Sequence, residues 1–271
     1  MSQQGKYIKA NNINTFYLEE GQGTPVILIH GGGAGANGWG NWHRCIPIFA
    51  KEFRVLVPDM VGFGQTEKPD PANFTYSQDA RVDHVIGFIE ALGLKDVALI
   101  GNSMGGATSM GVCMKRPELV SKLILMGGAG LNAEITDALK PVLNYDFTPE
   151  GMIRLIKVLA NKNFEILEDM VQYRWKNSID EGARKAYAAT MEWVRQQGGL
   201  YYPEDQIASI KTNTLVVNGK EDLVVPLQYA YRFLELLENS WGYIVPHCGH
   251  WAMIEYPEDF SHACMNFILH A

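Results

Sequence analysis

Gly101-Asn102-Ser103-Met104-Gly105 follows directly on the apolar run Val97-Ala98-Leu99-Ile100 and leads into a stretch of helical period that ends near Lys115. A G-x-S-x-G pentapeptide set between a strand and a helix is a sharp turn that lifts its serine above a sheet. Glycine is required on either flank because a side chain there would crowd a strained backbone. A serine that merely caps the following helix is the competing reading, and the strand-turn-helix context argues against it.

Outward from this unit, short runs rich in Val, Ile and Leu recur at Val26–Ile29, Arg54–Val57, Leu123–Met126, Leu215–Val217 and Tyr243–Val245. Helical segments at Asp79–Leu92, Ser103–Lys115 and Pro226–Leu237 lie between them. That alternation predicts a doubly covered, parallel α/β sheet. Tyr7–Ala10 and Ile13–Leu18, with Asn11-Asn12 between them, read as a hairpin that starts the sheet antiparallel. The alternation stops between about Leu131 and Leu200. Thr148-Pro149-Glu150 reads as a helix start, Ser178-Ile179-Asp180-Glu181 as a capping box, and Gly198-Gly199 as a helix stop. The expected organisation is a core of residues 1–130 and 201–271, with residues 131–200 inserted as a helical lid.

The 271 residues carry 23 basic and 30 acidic side chains, a net charge of -7 with no basic cluster, which excludes a nucleic-acid partner. The longest stretch without charge, Gly21 to His43, is broken by glycines, so no membrane span is expected. Met1 to Lys6 has no apolar leader, and the expected address is the cytoplasm. Cys45, Cys113, Cys248 and Cys264 include no C-x-x-C pair, and no disulfide is expected.

A serine hydroxyl attacks only when a base removes its proton, so Ser103 needs a histidine and an orienting acid. Of seven histidines, His30 belongs to a glycine loop, and His43, His84, His262 and His270 fall in or beside helices. His247 and His250 remain, both after the Tyr243–Val245 strand, and His250, between Gly249 and Trp251, is the expected base. H-C-x-H with Cys248 has no partner cluster elsewhere, so neither a metal nor any other cofactor is expected. The acid should lie between nucleophile and base in sequence; Asp222, in Gly219-Lys220-Glu221-Asp222, is preferred over a solvent-facing Glu221, with a helix cap before Pro226 as its rival role. Glu204 and Asp205 precede a strand and fall on the other edge. Ser103, Asp222, His250 and His30-Gly31-Gly32-Gly33 all follow strands, which gathers them at the carboxyl edge of the sheet. The glycine loop and the N–H of Met104 would form an oxyanion hole.

With these motifs the chain resembles an α/β-hydrolase, and specifically the meta-cleavage product hydrolases that open ring-fission products of bicyclic aromatics, nearest the carbazole and dioxin branch. The pieces that carry the resemblance are His30-Gly-Gly-Gly-Ala-Gly-Ala36 with Trp39 and Asn41, Pro58-Asp-Met-Val-Gly-Phe-Gly64, Gly101–Ala107, Leu125-Met126-Gly127 and Cys248-Gly-His-Trp-Ala252. The resemblance implies an α/β-hydrolase fold: a mostly parallel eight-stranded sheet with helices on both faces and a helical lid. It implies Ser103, Asp222 and His250 as the triad and Gly32 with Met104 as the oxyanion hole. Gly31, Gly33, Asn41, Asn102, Arg174 and Trp251 would hold the dienoate end of the substrate. An acidic protein that takes an anionic small molecule needs a local guanidinium, which gives Arg174 a physical reason. The implied reaction is hydrolysis of 2-hydroxy-6-oxo-6-arylhexa-2,4-dienoates, and the expected assembly is a homo-oligomer. Apolar lid residues such as Leu155, Leu159, Val171 and Trp175 are candidates to house the aryl ring, although most residues at helical spacing are plain core. A carboxylesterase with the same triad, or a binding protein with little turnover, are the rival readings.

Overall fold

The computed structural model describes residues 4–132 and 134–271. Ten strands are present among them: β1 Lys6–Ala10, β2 Ile13–Glu20, β3 Pro25–Ile29, β4 Arg54–Pro58, β5 Val97–Asn102, β6 Val120–Met126, β7 Leu131–Asn132, β8 Leu200–Tyr201, β9 Asn213–Gly219 and β10 Ser240–Val245. Eight form one sheet in the order β1-β2-β4-β3-β5-β6-β9-β10. β1 and β2 pair antiparallel, as do β2 and β4, and every other neighbour pair is parallel. Asn11 and Asn12 take φ of 46° and 65°, the left-handed pair that a two-residue hairpin turn requires. All six residues of β5 are buried, as befits a central strand covered on both faces.

The register aligns Ile29 with Gly101, Asn102 with Met126, and Val245 with Gly219, so the carboxyl ends of β3, β5, β6, β9 and β10 lie along one edge. The helices Gln78–Ala91, Met104–Lys115 and Leu227–Leu236 stand within a residue of their expected bounds. β10 begins three residues earlier than its apolar run suggests. It is an edge strand, and Trp241 and Gly242 on it are exposed, so they carry no burial signal.

Between β7 and β8 lie the helices Lys140–Leu143, Pro149–Leu159, Glu168–Ile179 and Glu181–Gln197. β7 and β8 pair antiparallel at the two ends of this segment; two-residue strands leave no periodicity to read. The Thr148 cap is present, its hydroxyl accepting from Gly151 N. The capping box at Ser178 is not: Asp180 caps the last helix through Ala183 N, while Ser178 is turned inward, donating to Trp175 O at 2.7 Å and sharing a hydrogen bond with Tyr145 Oη at 2.9 Å. The carboxylate immediately before the helix outcompetes a hydroxyl held in the preceding turn. No helix among the described residues is long and apolar enough to cross a membrane.

Two buried histidines fasten the loop after β4. His30 Nδ1–H donates to Gly31 O at 2.7 Å and its Nε2 accepts from Met60 N–H at 2.9 Å. His84 accepts from Val61 N–H and donates to Thr15 Oγ1 at 2.7 Å. Each ring must be neutral to accept, and burial pushes their pKa values down to about 4 for His30 and about 3 for His84. The unfolded chain therefore binds more protons below about pH 6.5, and stability present above that pH is lost as pH falls toward 4, at up to about 1.4 kcal/mol per pH unit for each ring. Buried Asp59, raised to about 6, acts in the opposite sense. The informative quantity is thus a difference: His84→Gln should show a shallower loss of urea-unfolding stability between pH 7 and pH 5 than the unsubstituted protein. An unchanged slope contradicts the assignment.

Candidate active site

Ser103 sits at φ 54° and ψ −120°, the sharp turn expected between β5 and the helix that starts at Met104. The turn is pinned by Ser103 N–H to Met126 O at 3.1 Å, and by Gly106 and Ala129 N–H donating to Ser103 O at 2.8 and 3.0 Å. A methyl group at Gly101 would meet Gly105 O at 2.3 Å, and one at Gly105 would meet Ile29 O and His30 O at 2.6 Å. Ser103 makes no side-chain cap to its helix.

His250 Nδ1–H donates to Asp222 Oδ2 at 2.7 Å, with both side chains fully enclosed. Asp222 Oδ1 accepts from Val224 and Val225 N–H at 2.8 and 2.9 Å, so the carboxylate is oriented from its far side. The helix-cap role is not found, since the helix that starts at Leu227 has no side-chain cap; one oxygen of Asp222 instead closes a turn within its own loop while the other holds the histidine. That bond leaves the lone pair of His250 on Nε2, which is buried and has no hydrogen-bond partner among the described residues. Ser103 and His250 line one small cavity together with Gly31, Gly32, Gly33, Asn41, Asn102, Arg174 and Trp251. Every expected substrate-contacting residue is in that cavity. Met104, the first residue of its helix, has an N–H with no intrahelical acceptor, and its side chain packs on Gly32.

The polar floor is tightly organised. Asn41 Nδ2 donates to Asn102 Oδ1 at 3.2 Å, and Asn102 Nδ2 reaches Met126 O and His250 O. Arg174 is 3% exposed and lies 4.9 Å over the Trp251 ring. It donates to Ala34 O at 3.3 Å, while its Nε and Nη1 are buried without a partner among the described residues. Burial lowers its pKa to about 10, so it stays charged. The nearby lid arginines differ: Arg154 pairs with Asp146, and Arg184 lies over Phe147. Gly35 lets the Arg174 helix approach, since a methyl group there would be 1.9 Å from Arg174 O, and its φ is +67°.

A second, strongly apolar cavity shares Ser103, Gly32, Gly33 and Leu159 with the first and extends between Leu139, Val142, Leu143, Met191, Val194, Val224 and Val225. Of the four lid side chains expected to house a ring, only Leu159 lines it. Leu155, Val171 and Trp175 line neither cavity and lie in or against the packed core. Helical spacing cannot tell a lining residue from a packed one, and Val224 and Val225 come from the Asp222 loop, which carries no helical signal. Glu221 is not purely solvent-facing either, since it accepts from Asn161 Nδ2 at 2.9 Å. Among the described residues no group of three or more His, Cys, Asp or Glu side chains is placed to hold a metal, and all four cysteines are free and buried.

A profile of the alpha/beta hydrolase fold family matches residues 24–257. The 2-hydroxy-6-oxo-6-(2'-aminophenyl)hexa-2,4-dienoic acid hydrolase of Metapseudomonas resinovorans is 53% identical over 264 residues, 97% of this chain and 90% of that one. A crystal structure of a serine hydrolase involved in carbazole degradation superposes with a TM-score of 0.92 at 49% identity, covering 100% of both chains. The meta-cleavage product hydrolase of Pseudomonas fluorescens IP01 superposes at 0.91 with 33% identity, covering 98% of this chain and 97% of that one. An esterase from Exiguobacterium antarcticum, 22% identical with a TM-score of 0.84, shares the fold alone; it covers 98% of this chain and 100% of its own.

The strain at Ser103 is measurable. Glycine relieves a left-handed conformation worth about 1–3 kcal/mol at a cost of about 0.5–1 kcal/mol in chain entropy. Ser103→Gly should therefore be roughly 1 kcal/mol more stable than Ser103→Ala in urea unfolding. Equal stability of the two variants contradicts a strained turn.

Proposed function

The chain belongs to the α/β-hydrolase family and, within it, to the meta-cleavage product hydrolases, and from that premise we propose how its residues carry out the hydrolysis of a carbon–carbon bond in a 2-hydroxy-6-oxohexa-2,4-dienoate. The observation that carries the reading is Arg174: a buried, charged guanidinium with two unpartnered nitrogens, beside Ser103 and His250 and across from an apolar cavity. Such a site suits a substrate with a carboxylate at one end, an aryl group at the other, and the bond to be cut between them.

Arg174, Asn41, Asn102 and the Trp251 face hold the 2-hydroxydienoate end. The substrate binds as its dienolate, and protonation at C5 gives the keto form, which gives the later leaving group somewhere to place its electrons. His250 Nε2 takes the Ser103 proton, and Oγ attacks the C6 carbonyl. The oxyanion lies against the N–H groups of Gly32 and Met104. Collapse breaks C5–C6, the electron pair passes into the conjugated enolate, which takes the proton held on His250 Nε2 and leaves as 2-hydroxypenta-2,4-dienoate, and the acyl group remains on Ser103. Water, deprotonated by His250, then releases the aromatic carboxylate. Asp222 holds the ring and stabilises the imidazolium. Residues 131–200 act as a lid over the site, with the core formed by residues 1–130 and 201–271.

An esterase of the same fold needs the serine, histidine and acid but no buried cation. Absorbance loss of the yellow 6-phenyl dienoate, read beside p-nitrophenyl ester hydrolysis, separates the two. Ser103→Ala should abolish both. Arg174→Ala should lower kcat/KM on the dienoate by about 100-fold, the worth of charge-assisted hydrogen bonds in an enclosed site, with ester hydrolysis within a few-fold. Ester cleavage without any production of hydroxypentadienoate would overturn the reading.

A further inference from the structure

His250 stands on a loop after β10 that no strand ladder holds, yet a general base must be fixed within about 0.5 Å. Its neighbours are fixed by one carboxylate. Glu255 accepts from Gly249 N–H through both oxygens, at 3.1 and 3.2 Å, and from Trp251 N–H at 3.4 Å, bracketing His250 on either side. The same carboxylate accepts from Asn161 N–H at 3.1 Å. The N–H of His250 itself donates to Leu159 O at 2.7 Å.

Leu159 and Asn161 belong to the lid, at and just after the end of the Pro149–Leu159 helix. Asn161 Nδ2 also donates to Glu221, the residue before Asp222, and Glu221 N–H donates to Cys248 O at 2.9 Å. One short lid segment is thereby tied to the loop of the base and to the loop of the acid. Glu255 lines neither the polar nor the apolar cavity; it faces a separate one with Arg44, Asn161 and His247. Burial raises its carboxyl group, and the three backbone donors draw it back toward the charged form that accepts all of them.

We propose that Glu255 is a positioning residue of the reaction, holding His250 by its flanking amides and joining the lid, through Asn161, to the histidine–aspartate pair. This rests on the role given above to His250, but not on the identity of the substrate. A glutamine keeps the shape and offers one accepting oxygen, while its amide N–H faces donors. An alanine leaves all three N–H groups without their acceptor.

The test measures kcat and KM for Glu255→Gln and Glu255→Ala on the 6-phenyl dienoate and on a p-nitrophenyl ester, with folding followed by circular dichroism and thermal unfolding. Displacing a catalytic base costs roughly 10- to 100-fold in rate. Glu255→Gln should lose about 10-fold in kcat on both substrates by the same factor, with KM within about twofold, and Glu255→Ala should lose more. Should the alanine variant not fold, the isosteric glutamine variant decides. A kcat for Glu255→Gln within twofold of the unsubstituted protein overturns the proposal, as does a loss that lies wholly in KM or in the folded fraction. If the unsubstituted protein does not cleave the dienoate, the substrate reading fails and the ester arm still decides Glu255.

Discussion

A serine held at φ 54° and ψ −120° is the constraint around which the molecule is arranged. That conformation costs free energy, and it persists because its surroundings determine it: the ends of β5 and β6 in register, backbone hydrogen bonds to Ser103 from both sides, and glycines where any side chain would collide with carbonyl oxygens. The same edge brings in the glycine loop after β3, the Asp222 loop after β9 and the His250 loop after β10. Parallel strands make this possible, since all their carboxyl ends face one way.

The second organising fact is a charge imbalance. Burying a guanidinium without a counter-ion is costly, and among the described residues Arg174 is met by one carbonyl and one indole face. A protein of net charge -7 has carboxylates in plenty, yet among the described residues none forms an ion pair with Arg174. Neighbours that share only the fold, such as the esterase, cannot inform this point. The serine, histidine and aspartate define a hydrolase; the cation beside them and the apolar cavity opposite define what kind of molecule lies between.

Much of this was legible in the sequence because it is local. G-x-S-x-G after an apolar run, glycines after β3, and a histidine and an aspartate after later strands each carry their own signal, and the sheet edge assembles them. Arg174 could be named only through family resemblance, since on spacing it is indistinguishable from Arg154 and Arg184, and its isolation appears only when the lid helix is packed against Gly35. Helical periodicity records burial and not what the buried face meets, so it does not separate Leu159, which lines the apolar cavity, from Leu155, which does not. Glu255 left no trace because its partners are backbone N–H groups, which every residue but proline has. The Ser178 capping box failed for a related reason, a short motif being overruled by tertiary packing against Tyr145.

The central claim is an orientation: carboxylate on Arg174, C6 carbonyl over Ser103, aryl group in the apolar cavity. A crystal structure of the Ser103→Ala variant with the 6-phenyl dienoate bound tests it most directly. The account predicts the carboxylate within hydrogen-bond distance of Arg174 Nε or Nη1, the C6 oxygen facing the N–H groups of Gly32 and Met104, and the phenyl ring between Leu139, Met191 and Val225. A phenyl ring stacked at Arg174 with the carboxylate turned elsewhere would contradict it.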